Sequence, residues 1–176
     1  MPRRDLTFQP DHYYRLYNRG NDRHLIFFER ENYLHFLRLM RRYLIAQTLD
    51  VLAYCLMLNH YHLLVRCKTD EVSGAMQRLS IAYTKAMNRR YQRVGVLFQG
   101  QFQAIAVDSN EYLYHLTRYI HLNPVKAGLV ADPKNWEFSS FLEYAGLRSG
   151  TLPRLDVLQR QFSFDAEYQR FLKPDS

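Results

Sequence analysis

The hydrophobic patterning predicts an α+β fold of the ferredoxin-like, split β-α-β kind, with an antiparallel sheet and further helices at the C-terminal end. Strand-like and helix-like stretches follow one another in the order β-α-β-β-α-β. Both helical stretches are long and amphipathic, and more helical patterning follows the last strand. A length of 176 residues, with 47% hydrophobic and 23% charged content, suits one domain with a substantial core. We therefore read residues 1–176 as a single domain with a core over about 12–147 and a tail over 148–176.

Taken in order, His12–Tyr17 alternates loosely, is rich in tyrosine and predicts the first strand. Asn18–Arg23 has turn composition. From Glu31 to Gln47, Tyr33, Phe36, Leu37, Met40, Tyr43 and Leu44 recur at helical spacing, with Arg38, Arg41 and Arg42 on the other face. Leu49–Leu58 and His60–Cys67 read as strands around a turn or bulge at Asn59. A hairpin and one long bent strand both fit. The second helix is expected over Glu71–Tyr91, with a stripe of Val72, Met76, Leu79, Ala82, Tyr83 and Ala86 and with Arg78, Lys85, Arg89 and Arg90 outside it.

Leu97-Phe98-Gln99 sits in a glycine-bounded loop that suits either a binding surface or a core plug, and Gln101–Val107 predicts a strand. Asp108-Ser109 offers an N-cap for a third helix, which Pro124 should end or kink at Asn123. Trp136–Leu147 and Asp165–Leu172 are expected to be short helices.

Charge is unevenly placed. Residues 1–104 hold 16 Lys and Arg against 8 Asp and Glu, a net of +8, whereas residues 105–176 have a net of −1. A basic front half points to a polyanion such as nucleic acid. Arg15, Arg19 and Arg23 interleave with Tyr13, Tyr14 and Tyr17, pairing cations for phosphates with rings for bases. Arg38, Arg41, Arg42, Lys85, Arg89 and Arg90 are further candidates for DNA contact, or a solvated helix surface. No apolar run predicts a membrane span, no export signal is visible, and Cys55 and Cys67 are too few for a disulfide framework. A reduced, cytoplasmic setting is the expectation.

The chemistry centres on Asn59-His60-Tyr61-His62. In a strand His60 and His62 share a face, roughly 7 Å apart at Cα for a rise of about 3.3 Å per residue. Two imidazoles on one buried face call for a shared partner, either a metal ion or a phosphate. A metal would need at least one more protein ligand. Tyr119 and Asn123 lie four apart, on one face of the third helix. An amide oxygen suits a hard cation, and a phenol can attack a phosphodiester. Pattern alone ranks Tyr119 no higher than Tyr112 or Tyr114, and His115 and His121 read as surface histidines.

Several segments, in order, resemble the REP-associated tyrosine transposases, a group of single-tyrosine HUH transposases. They are Tyr17-Asn-Arg-Gly-Asn21 with Ile26-Phe27, Met57–Leu64, Gly95–Phe102, Tyr119–Val130 and Trp136–Ser140. The resemblance implies that His60 and His62 are metal ligands, Asn123 a third ligand and Tyr119 the nucleophile. It implies cleavage and rejoining of single-stranded or hairpin DNA through a 5′-phosphotyrosine, with Mg²⁺ or Mn²⁺. Leu58 stands where proline is common, and Gln101 where a basic residue is frequent, a change at an expected DNA contact; neither removes a catalytic group. The alternative is a non-catalytic hairpin-DNA-binding regulator descended from such an enzyme. Self-association is compatible with both, because relatives build the site within one chain or across two. Replication initiators and relaxases are disfavoured by the Tyr119–Val130 block.

Overall fold

The computed structural model describes residues 6–160. The expected order is present as β1 (Tyr13–Arg19), α1 (Arg30–Met40), β2 (Leu49–Leu56), β3 (His60–Cys67), α2 (Val72–Arg90) and β4 (Gln103–Val107). All strand pairs are antiparallel and the sheet order is β2-β3-β1-β4. The two β-α-β halves are thus interleaved, which is the split arrangement. The stretch around Asn59 resolves as a hairpin, closed by a bond from Met57 N to His60 O at 2.8 Å.

Both faces of the sheet are covered, which explains why β2 is buried along its whole length. On one face α1 and α2 bury Phe36, Leu39, Met40, Met76, Leu79 and Tyr83 against Leu16, Tyr61, Leu63 and Val65. On the other, α3 (Asn110–Lys126), α4 (Phe141–Tyr144) and α5 (Leu155–Gln159) cover Ala53, Cys55 and Leu64. A bulge between Val51 and Ala53 sets which β2 side chains face which layer. Val51 before it and Tyr54 after it both face α1 and α2, although their spacing of three would put them on opposite sides of a regular strand.

Three expectations need correcting. Of the two outcomes expected at Pro124, an end to α3 is not found, since the helix continues to Lys126. The stop lies at Gly128, whose φ of +74° is the left-handed conformation that glycine adopts freely. There Gly128 N bonds to Val125 O and Leu129 N to Pro124 O, both at 3.0 Å, a Schellman closure. The expected helix over Trp136–Leu147 is confined to Phe141–Tyr144. Before it, Phe138–Ser140 runs along β2, with Leu56 N to Phe138 O at 2.9 Å and Ser140 N to Tyr54 O at 3.0 Å, and so covers an otherwise open edge. The third correction, to His121, belongs to the site. The Asp165–Leu172 helix lies outside the described residues.

The N-cap reading is met, since Ser109 Oγ accepts from Tyr112 N at 3.1 Å. Leu97 and Phe98 of that loop are buried in the core, whereas Gln99 beside them is exposed. The first part of the tail also packs on the fold. Leu152 joins the core beneath α1 and α2, and Arg154 N bonds to Val51 O at 2.8 Å.

Candidate nucleophile and metal site

Register places the site. His62 lies opposite Tyr17, and His60 opposite Arg19, so the face of β3 that carries the histidines is continued on β1 by Arg15, Tyr17 and Arg19. Gln103 of β4 extends it beyond Tyr17. α3 crosses this face and brings Tyr119 with it. The His60 and His62 rings are 5.0 Å apart between centroids, and the Tyr119 ring meets His62 edge-on at 5.7 Å. These groups open into a cleft of about 670 Å³ lined also by Asn18, Arg23, Asn59, Gln99 and Gln101.

Cations surround the phenol. The Arg15 guanidinium lies 5.1 Å from the Tyr119 ring centre and 4.8 Å from that of Tyr17, and Lys126 Nζ is 5.3 Å from the Tyr119 ring. Arg15 also donates to His62 Nδ1 over a long 3.4 Å, while its buried Nε has no hydrogen-bond partner among the described residues.

Both histidines are held neutral. Burial, helped by the charges of His60 and Arg15, pushes His62 down to about 3. Burial also lowers His60, with Arg15 adding to it and a hydrogen bond to Asn123 opposing it. Neutral imidazoles offer lone pairs to a cation. His60 Nδ1 donates to Asn59 Oδ1 at 2.7 Å, which puts the lone pair on Nε2.

The expected residues divide in two. Tyr119, His60, His62, Asn123, Arg15, Arg19 and Arg23 gather at the cleft. Arg38, Lys85, Arg89 and Arg90 line a separate groove between α1 and α2, on the opposite face of the sheet. There Arg90 pairs with Glu29 at 2.7 Å. Arg41 donates to Thr151 and Arg42 lies over the Tyr43 ring, so neither reaches the cleft.

Sequence reading missed Lys126 as a neighbour of Tyr119, although positions 119, 123 and 126 form an i, i+4, i+7 stripe. It also missed Asn59 as a partner of His60.

His121 corrects the surface assignment. It is fully buried, and its Nε2 shares a 2.8 Å bond with Ser140 Oγ, which also accepts from Tyr54 N at 2.9 Å. The stripe Leu113, Thr117, His121 was the available signal. His115 is exposed as expected, near Glu111. Burial holds His121 down to about 3 in the folded chain, against about 6.5 unfolded. The unfolded chain therefore takes up the proton first, and stability is lost as pH falls from about 6.5 toward 3. The expected slope from this one group is about 1.4 kcal/mol per pH unit. Urea unfolding from pH 7 to 4 should show His121→Gln losing one proton's worth of that slope. An unchanged slope would contradict the assignment.

Comparison with known proteins gives the family and the fold. The family model for IS200-like transposases matches residues 8–123, about two thirds of the chain. The chain belongs to the IS200-like transposase family. A Haemophilus influenzae protein provisionally named a REP-associated tyrosine transposase is 28% identical over 106 aligned residues. That match covers 52% of this chain and only 58% of the relative's length. The solved structure of a REP-associated tyrosine transposase bound to a REP hairpin shares the fold, with a TM-score of 0.69 and 19% identity. It covers 86% of this chain and 93% of that one. The resemblance read from the motifs is therefore met in the family, in a sequence relative and in the fold. Among the described residues no helix is long and apolar enough to cross a membrane.

Proposed function

We propose that this transposase-family protein cleaves and rejoins single-stranded DNA beside a hairpin, through attack by Tyr119 and a 5′-phosphotyrosine intermediate. The observation that carries the reading is the Tyr119 ring packed on His62, beside His60, in one open cleft of one chain.

The donor set fits a hard divalent cation. His60 and His62 are neutral, and the Asn123 amide lies within hydrogen-bonding reach of His60. Among the described residues no group of three or more His, Cys, Asp or Glu side chains converges, so the third protein ligand would be that amide. Bound there, Mg²⁺ or Mn²⁺ would polarise the scissile phosphate and offset charge on the leaving oxygen.

The chain's own groups supply the rest. Tyr119 Oη forms the new bond to phosphorus as the bond from phosphorus to the 3′-oxygen breaks. The phenol proton passes to water and the released 3′-oxygen takes one up. Rejoining reverses the exchange with an incoming 3′-hydroxyl. Arg15, whose guanidinium lies beside the Tyr119 ring, holds a phosphate oxygen, and Arg19 and Arg23 guide the strand along the cleft. Tyr17 offers a ring for base stacking.

The test uses an end-labelled DNA hairpin with an unpaired foot. Cleavage and a covalent protein–DNA adduct are expected with Mn²⁺ and not with EDTA. Tight binding without cleavage under either ion would favour the regulatory hairpin binder instead.

A further inference from the structure

The positive-φ pair Asp22 and Arg23 and the side chain of Asn59 belong to one device, which acts on His60. Asp22 (φ +56°) and Arg23 (φ +60°) are consecutive non-glycine residues in the left-handed region, a conformation that costs energy for each. Such strain persists only where neighbouring structure over-determines it. Here the loop is tied down on several sides. Gly20 N bonds to Asn59 O at 2.8 Å, and Asn21 N to Leu97 O at 2.9 Å. Gly20 also passes so close to His24 that a Cβ there would lie 2.0 Å from the His24 carbonyl oxygen. The result of this fold is that the carbonyl of Arg23 accepts from Asn59 Nδ2 at 3.1 Å.

That bond fixes which end of the Asn59 amide faces His60. With Nδ2 committed to Arg23, the amide oxygen is what meets His60 Nδ1, at 2.7 Å. An amide oxygen only accepts, so the imidazole proton must sit on Nδ1 and the lone pair on Nε2. His62 has no comparable lock, since its contact to Arg15 is 3.4 Å.

We infer that Asn59 is a positioning residue: through the relay Arg23 carbonyl, Asn59 amide, His60 Nδ1–H, it holds His60 in the tautomer whose lone pair, on Nε2, would ligate a divalent cation. This rests on the metal reading above, but the tautomer itself is a property of the metal-free protein. The neutral ring of a histidine side chain in water favours the proton on Nε2, so the relay works against the default.

Long-range ¹H–¹⁵N NMR of the metal-free, full-length chain at pH 7.5 reads the tautomer directly. Wild type should show His60 protonated at Nδ1. Asn59→Leu, similar in size but without an acceptor, should move the proton to Nε2 and weaken Mn²⁺ binding by about 10- to 100-fold. Asn59→Asp keeps an acceptor and should restore both readings. Should the leucine variant not fold, the wild-type and Asn59→Asp spectra decide alone. A wild-type His60 protonated at Nε2, or a leucine variant still protonated at Nδ1, would overturn the inference. A tautomer that follows Asn59 in a protein that binds no Mn²⁺ would sustain the relay and sink the metal reading.

Discussion

Tyr119→Phe is expected to abolish cleavage, lowering the rate by a factor on the order of 10⁴ or more, because it deletes the oxygen that the proposed mechanism uses for attack. Its effect elsewhere should be small. Tyr119 is half-buried, and phenylalanine keeps the ring that contacts His62, Arg15 and Lys126. Thermal stability should shift little, and hairpin affinity by no more than about twofold. A gel assay for cleaved strand, beside a binding titration on the same hairpin, separates the two effects. Parallel loss of binding would mean that Tyr119 is a DNA contact instead. Tyr112 and Tyr114 serve as controls. Each is also half-buried on α3, and neither lines the cleft.

The second large effect is expected from His62→Ala. His62 is 5% exposed and held neutral by burial, so its ring contributes a desolvated lone pair that no neighbouring group replaces. Mn²⁺ affinity should fall by about 100-fold or more, and cleavage with it. Stability should suffer less than for a usual core truncation, because a buried imidazole with one long hydrogen bond is itself costly. Isothermal titration with Mn²⁺ and urea unfolding check the two halves. Unchanged Mn²⁺ affinity would remove His62 from the ligand set and leave the phosphate reading of the histidine pair.

Some of this site was legible because it depends on local periods. The shared face of His60 and His62 follows from the two-residue period of a strand, and that of Tyr119 and Asn123 from the helical one. That α3 crosses the histidine face depends on long-range packing, which no spacing encodes. Only resemblance singled out Tyr119 among the α3 tyrosines. Pro124 misled because its restriction on the preceding residue is a preference, and the Gly128 closure outweighed it. His121 misled because histidine composition suggests a surface, while its place on the sheet-facing stripe of α3 decides burial. The basic residues looked like one population in the sequence. Strand register sends Arg15 and Arg19 to the cleft, whereas Arg38, Lys85 and Arg89 end on the far side of the sheet. The role of Asn59 needed the carbonyl of Arg23, 36 residues away, and so could not be read locally.

The most direct test of the account is to locate the covalent adduct. Trypsin should release Tyr119–Lys126 as one peptide, since Arg118 precedes it and Lys126 ends it. After reaction with a DNA hairpin in Mn²⁺ and nuclease trimming, mass spectrometry should find a 5′-phosphonucleotide on that peptide, and none when EDTA replaces the metal. A nucleotide carried by another tyrosine, or an adduct that forms equally well in EDTA, would contradict the pairing of Tyr119 with a metal held at His60 and His62.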